Sequence, residues 1–275
     1  MRAAVRIVTG TSMALILLLH PRYGFAQEEA AAPIEDNSFL IEEAYNQERG
    51  IVQHISTFML QEDQWVYSFT QEWPVWSQKH QFSFTIPVQR VDENGVRGTG
   101  IGDIALNYRY QIGGMGGDIA AFAPRVSILL PTGDARKGRG SGRVGYQANL
   151  PVSVASSEVA AHFNAGMTYL PADDGASVPT SSLAYNVGQS VIWLLRPNFN
   201  LLTEALWTNT RLSPNGIPDQ RTNSVLISPG FRGAINFDSG LQVVPGAAVA
   251  FEVEHEADPM LVLYLSFEHP FGRRQ

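Results

Sequence analysis

Cysteine, lysine and charge are all scarce in this sequence of 275 residues. There is no cysteine, lysine occurs only as Lys79 and Lys137, and charged residues make up 16% of the chain. The lack of cysteine excludes a disulfide-stapled fold and a cysteine-ligated metal site. The net charge is −7. This acidic balance argues against nucleic acid as a partner, because surfaces that bind nucleic acid carry an excess of basic residues.

Long apolar runs are scarce too, and the one near the N-terminus is short. It covers Ile7 to Leu19, 13 residues, and lies between the basic residues Arg2 and Arg6 and the small residues Gly24 and Ala26. A membrane-spanning helix needs roughly 20 apolar residues, so a single membrane anchor is disfavoured. The pattern predicts an export signal peptide over residues 1–26, cleaved after Ala26.

From Gly50 onward, apolar and polar residues alternate with a period of two. In the stretch GDIALNYRYQI, for example, Leu106, Tyr108 and Tyr110 alternate with Asn107 and Arg109. Gly, Pro and strand-forming residues interrupt every possible helical window. The pattern predicts about twelve strands, which run roughly over residues 50–60, 64–73, 80–89, 102–112, 118–131, 143–156, 158–170, 181–195, 197–211, 222–237, 240–254 and 259–271.

The lengths of these strands and of their connections favour a membrane barrel. Strands of about ten residues can cross a bilayer at a tilt, whereas strands of soluble sandwiches more often have five or six residues. Four connections on one side are long, over residues 90–101, 132–142, 171–180 and 212–221, while the opposite side has mostly tight turns. The sequence therefore predicts an all-β fold, a closed antiparallel transmembrane β-barrel of outer-membrane type over residues 50–275. Its apolar edges would face lipid and its polar edges a wet lumen.

The N-terminal segment, residues 27–49, gives no clear pattern. Its first part is acidic and rich in alanine, which is typical of a disordered tether. In the following stretch SFLIEEAYNQERG, Phe39, Ile41 and Tyr45 fit a short helix across the barrel mouth as well as an extra strand. We therefore predict either a periplasmic segment or a plug of the lumen.

Two stretches, GIGDIALNYRYQI and RVSILLPTGDARKGRGSG, resemble the outer-membrane β-barrel transporter family named for the MetA pathway of phenol degradation. The matching residues are Gly100, Gly102 and Asp103 at a strand start, and the turn Pro131 to Asp134 before a glycine-rich loop. The resemblance implies a barrel in the bacterial outer membrane and a transport role. It implies no particular solute.

Inward-facing polar residues are the candidates for function. They could form an electrostatic constriction that selects solutes, or pair across strands and stiffen the lumen. We expect Glu204 and Arg232 to lie within reach of each other. The candidate pore-lining residues are Asp103, Asn107, Arg109, Arg125, His162, Glu204, Arg232 and Glu252.

A basic outer loop forms a second candidate set, Arg136, Lys137, Arg139 and Arg143. These side chains could attract anionic solutes or bind the phosphates of surface lipid. The alternative is a solvated, mobile loop, which its glycine content favours. The G-x-G-x-x-G spacing of Gly140, Gly142 and Gly145 carries no weight, because no βαβ unit surrounds it.

The sequence argues against an enzymatic function. A lipid hydrolase would need a serine nucleophile and a histidine base at the outer rim, but there is no G-x-S-x-G motif and the histidines are badly placed. We predict no catalytic residue, metal or cofactor. The sequence favours a monomeric, porin-like channel in outer-membrane lipid of a Gram-negative cell, for passive uptake of small solutes. The name of the family that it resembles implies aromatic or hydrophobic compounds. The alternative is a plugged, non-conducting barrel with a structural or surface-interaction role.

Overall fold

The computed structural model describes residue 34 and residues 38–93, 96–114, 120–172 and 178–270, without the side chains of residues 92–97. The predicted signal peptide lies outside the described residues, and so does the predicted tether apart from Ile34. All described residues belong to one unit, Ala31–Gln275.

Twelve antiparallel strands form one closed sheet, which confirms the predicted barrel. Each strand pairs with its neighbours in the chain, and the first strand also pairs with the last. Four strands are interrupted by short irregular breaks. The strands are β1 Ile51–Gln61; β2 Gln64–Val75; β3 Ser77–Glu93; β4 Val96–Ile101, Ile104–Tyr110 and Ile112–Gly113; β5 Ala120–Phe122 and Arg125–Leu130; β6 Gly145–Asn149 and Val152–Ala155; β7 Val159–Leu170; β8 Thr180–Arg196; β9 Phe199–Pro214; β10 Gln220–Gly233 and Ile235–Asn236; β11 Gln242–Glu252; β12 Met260–Pro270.

The apolar side chains of the strands face outward, as the alternation of apolar and polar residues predicts for a membrane barrel. Along β7, for example, Phe163 and Met167 are exposed, while His162 and Asn164, on either side of Phe163, are buried. A barrel with an apolar outer face suits lipid and not water. Outside the strands there is one short 3-10 turn, Ala135–Lys137, and no helix of the described residues is long and apolar enough to cross a membrane.

The two ends of the barrel differ. At one end, here called the terminal end, β1 begins and β12 stops, and the connections are short turns such as residues 156–158 and 197–198. The opposite end, the distal end, has the longer connections, including residues 131–144.

The prediction of a long loop over residues 90–101 is wrong. β3 runs on to Glu93 and β4 starts at Val96, with Val88 paired to Ile101 and Glu93 to Val96. Backbone pairing continues although the side chains become polar, because ladder hydrogen bonds need no apolar face once both strands are in register. The hairpin therefore extends beyond the apolar band of the barrel.

Candidate functional site

Residues Ser38–Gln47, here called the strap, lie against the inner wall of the barrel in an irregular, extended conformation. They form neither the helix nor the extra strand that the sequence left open. Backbone N–H groups of the strap donate to wall side chains on five of the strands, and the order of the acceptors follows the order of the strands. The pairs are Gln47 with Gln81 of β3, Asn46 with Gln111 in β4, Ala44 with Ser153 of β6, Glu42 with Asn164 of β7, and Leu40 and Ile41 with Glu204 of β9, all at 2.6–2.9 Å.

Wall side chains serve as acceptors because the wall backbone is already used in the closed sheet. A buried N–H without a partner would be costly, so each needs such an acceptor. Asn164 satisfies both backbone groups of Glu42: its Oδ1 accepts the N–H at 2.8 Å and its Nδ2 donates to the carbonyl at 2.7 Å. The strap is thus attached to the wall without being part of the sheet.

The carboxylate of Glu42 forms the centre of an ionic cluster. Arg125 Nε donates to its two oxygens at 3.0 and 2.9 Å, and Arg109 Nη1 donates to Oε1 at 3.2 Å. Asn149 Nδ2 donates to Oε2 at 2.7 Å. Arg109 also donates to the strap carbonyls of Glu43 and Tyr45. Two of the predicted lumen arginines therefore hold one acidic residue of the strap.

At the other end of the strap, packing replaces charge. The ring of Phe39 lies 5.0 Å from that of Tyr264, centroid to centroid. A Cβ at Gly246 would lie 2.5 Å from Phe39 Cζ, and one at Gly188 would lie 2.3 Å from Ile41 Cδ1, so both positions require glycine for this close approach. The apolar cluster around Phe39 comprises Ile34, Ile55, Ile192, Leu202, Ala234, Val244, Ala248, Ala250, Val262 and Tyr264.

Along β8–β10, the inner wall is buried beside the strap and accessible to solvent beyond it. In one row of inward-facing residues beside the strap, Ser190, Glu204 and Ser228 are 0% exposed. Four residues further along each strand toward the distal end, the inward-facing residues are partly exposed: Asn186, Thr208 and Ser224. The distal part of the lumen is therefore a vestibule, and the strap lies at its base.

Six of the eight candidate pore-lining residues are grouped in this region. Asn107, Arg109, Arg125, His162, Glu204 and Arg232 all point inward, and the first two and last three are buried. His162 Nδ1 lies 2.7 Å from Ser153 Oγ, the acceptor for Ala44.

The expected pair of Glu204 and Arg232 is not formed. Their register places Glu204 opposite Ser228 and Arg232 opposite Asn200. Glu204 Oε1 instead accepts the backbone N–H groups of Leu40 and Ile41. The strap therefore supplies the direct hydrogen-bond partners of Glu204, while the charge of Arg232 acts on Glu204 without a direct ion pair.

Asp103 and Glu252 lie at the distal end, where their carboxylates bind backbone. Asp103 accepts the N–H of Gly133 at 3.0 Å and that of Ser141 at 2.7 Å. Glu252 accepts the N–H of Val225 at 2.9 Å. Both residues therefore anchor connections at the rim of the vestibule.

The basic loop is only partly a free basic surface. Arg136 and Lys137 are exposed, but Arg139 is buried, with its guanidinium lying over Gly98 and Gly100. Lys137 Nζ lies 3.4 Å from Asp134 Oδ2. Although desolvation acts in the opposite direction, hydrogen bonding and charge from Lys137 hold the pKa of Asp134 below its usual range. Arg143 is partly buried and has contacts of its own.

Sequence reasoning missed Glu42, Asn149 and Asn164. One signal was available for Glu42: the adjacent acids Glu42 and Glu43 lie in the segment that was a candidate plug, and the lumen was expected to contain arginines. Within the described part of the chain, no group of three or more His, Cys, Asp or Glu side chains is placed to hold a metal ion.

A closed twelve-stranded barrel with an apolar outer face, a polar interior and a strap in its lumen has the architecture of an outer-membrane β-barrel. The chain matches the family model described as "Putative MetA-pathway of phenol degradation" over residues 43–257, and it belongs to that family. No curated protein matches it.

Solved structures support the same architecture. The chain is similar to an outer membrane channel from Pseudomonas putida F1, with 13% identity and a TM-score of 0.62 over 83% of this chain and 98% of that one. It is also similar to the NanC porin, with 8% identity and a TM-score of 0.53 over 81% of this chain and 100% of that one. At such identities the likeness shows the fold.

Proposed function

We propose that this protein lies in the bacterial outer membrane as a passive channel for small solutes, and that the strap is its gate. The change in exposure along the lumen carries the proposal: water reaches the vestibule wall at Asn186 and Thr208, while Ser190 and Glu204 at the strap are buried. Because no backbone–backbone hydrogen bond joins the strap to the wall among the described residues, the strap can leave the wall without breaking a strand pair.

The orientation follows from the connections. In outer-membrane barrels the short turns lie in the periplasm and the longer loops outside. The terminal end would then be periplasmic, the vestibule would open to the outside, and the strap would be joined to the periplasmic N-terminal segment. Export would depend on the predicted signal peptide, residues 1–26.

The apolar cluster and the family description favour aromatic or hydrophobic solutes. Beside Phe39, the wall presents Val244, Val262 and Tyr264, which would line the lumen once the strap is displaced. A channel of this kind needs no catalytic group, and the likeness to a channel and a porin is consistent with a role other than catalysis.

A non-conducting barrel is the second candidate, and one observation favours it. The charges of Glu42 and Glu72 balance those of Arg109 and Arg125 inside the lumen, which is what a permanent plug requires. The test must therefore separate a strap that moves from one that does not.

The chain's lack of cysteine makes a reversible lock straightforward. Ser38 Oγ lies 2.7 Å from Ser190 Oγ, so cysteines at the two positions can reach the disulfide bond length of about 2.05 Å. Conductance of the full-length double variant Ser38→Cys/Ser190→Cys is measured in planar bilayers before and after reduction. Ser190→Cys alone is the matched control.

We expect the oxidised double variant to show little or no current, and reduction to restore the wild-type current. The control should conduct in both conditions. A steady current through the oxidised double variant would overturn the strap as gate, but it would still support a channel. Silence of wild type and of all variants, in correctly folded protein, would overturn the channel and leave the plugged barrel.

A further inference from the structure

The geometry points to a binding site for small monocarboxylates, built by Arg109, Arg125 and Asn149, in which the carboxylate of Glu42 is the resident occupant. This inference rests on the proposed channel, since a solute reaches the site only through the vestibule. It adds a chemical class of solute and a reason for the strap to move: the solute's carboxylate takes the position of Glu42.

The donors are arranged for a planar group with two oxygens. Arg125 Nε contacts both oxygens of Glu42, Arg109 Nη1 approaches Oε1 at 3.2 Å, and Asn149 Nδ2 approaches Oε2 at 2.7 Å. Each oxygen therefore has an arginine donor, and one has an amide donor as well. Guanidinium groups bind carboxylates strongly in such arrangements, because charge and geometry both match.

The wall holds two of the three donors, Arg125 and Asn149. Arg109 is held mainly by the strap, through Asn46 Oδ1 and the carbonyls of Glu43 and Tyr45. Arg125 Nη1 donates to Asn107 Oδ1 at 3.1 Å and to Gln147 Oε1 at 2.9 Å, both on neighbouring strands. Asn149 belongs to β6, and its position is set by the sheet. Removing only the side chain of Glu42, with the rest of the strap unchanged, would thus leave the three donors in place with their hydrogen-bonding groups facing the lumen.

Charge also favours a monovalent occupant. Arg109 has a second acidic neighbour on the wall, Glu72, whose Oε2 lies 3.8 Å from Nη2. With Glu42 displaced, two arginines and one wall carboxylate remain, a surplus of one positive charge. One carboxylate of a solute restores the balance, and a dianion would reverse it.

Solvent already reaches the site. The side chains of Arg125 and Glu42 are 16% and 18% exposed, whereas that of Arg109 is 3% exposed. Arg125 is therefore the more accessible of the two arginines, and we expect a solute carboxylate to meet it first. It competes with a tethered carboxylate whose effective concentration is on the order of millimolar, so apparent affinities are expected to be weak, as suits a passive channel.

Chemical rescue of the full-length chain tests the site without relying on conductance. Glu42→Ala removes the resident carboxylate and leaves space in front of the donors. Acetate is expected to raise the thermal unfolding midpoint of this variant by a few degrees more than that of wild type. Acetamide, which has the same shape without the charge, should give no such difference.

Two further variants serve as controls. Glu42→Gln fills the space with an amide, so acetate should not stabilise it beyond wild type. In Glu42→Ala/Arg125→Gln the main donor is missing, and the acetate effect should disappear. If Glu42→Ala alone does not fold, acetate in the refolding mixture is expected to restore a heat-modifiable barrel, and acetamide is not.

Failure of this site and failure of the channel give different results. No gain from acetate, in either the unfolding midpoint or the refolding yield, overturns the carboxylate site whatever the conductance. Rescue by acetate in a barrel that never conducts would support the site and overturn the channel.

Discussion

The two ends of the strap are attached to the same barrel by different physics. At the apolar end, Phe39 and Ile41 pack into space that Gly246 and Gly188 leave in the wall. At the ionic end, from Glu42 to Gln47, charged and amide groups hold the chain. Packing is not screened by salt or displaced by a charged solute, whereas ionic contacts are subject to both effects. We therefore expect the strap to loosen first at its ionic end and to pivot on its apolar end. The lumen would open fully only when the apolar end also leaves the wall.

The largest effect is expected at the pivot. Phe39→Ala removes a buried ring that contacts Tyr264 and should lower the free energy of unfolding by about 3 kcal/mol. Denaturant titration in detergent measures it. The matched control is Leu40→Ala, next to it in the chain but only half-buried, for which a loss of about 1 kcal/mol is expected. Equal losses would contradict an apolar pivot.

The ionic end should show a smaller but salt-dependent effect. A double-mutant cycle with Glu42→Gln and Arg125→Gln is expected to give a coupling free energy of about 1–2 kcal/mol, because the pair is partly exposed. Raising the salt concentration should reduce this coupling and leave the Phe39→Ala loss unchanged. The same salt response at both ends would remove the distinction between them.

The sequence was sufficient for the barrel and not for the strap. Alternation with a period of two assigns each strand residue to one face, so the inward position of Asn107, Arg109 and Arg125 follows from local pattern. The strap has no period. Glu42 meets Arg109, Arg125 and Asn149 at separations of 67, 83 and 107 residues, and only closure of the barrel brings these groups together.

A larger residue at Gly188 should cause a modest loss of stability, which a smaller residue at Ile41 should partly restore. Gly188→Ala places a Cβ 2.3 Å from Ile41 Cδ1. We expect this clash to lower the free energy of unfolding by about 1–2 kcal/mol. Ile41→Val shortens the side chain on that side and should recover much of the loss in the double variant. Denaturant titration of the two single variants and the double variant measures this, and simple addition of the two losses would show that these residues do not touch.

The smallest effect is expected far from the strap, at the distal rim. Asp103→Asn keeps one acceptor oxygen but replaces the other with a donor, so the carboxamide cannot accept the N–H groups of both Gly133 and Ser141. The expected loss is about 1 kcal/mol, since water can reach this partly exposed site and replace the missing partner. The loop over residues 131–144 and the strap share no anchoring residue among the contacts described. Asp103→Asn should therefore leave the oxidation of the Ser38→Cys/Ser190→Cys pair and the current after its reduction unchanged. A slower or incomplete disulfide would show instead that the rim and the strap move together, and the gate would then extend through the whole vestibule.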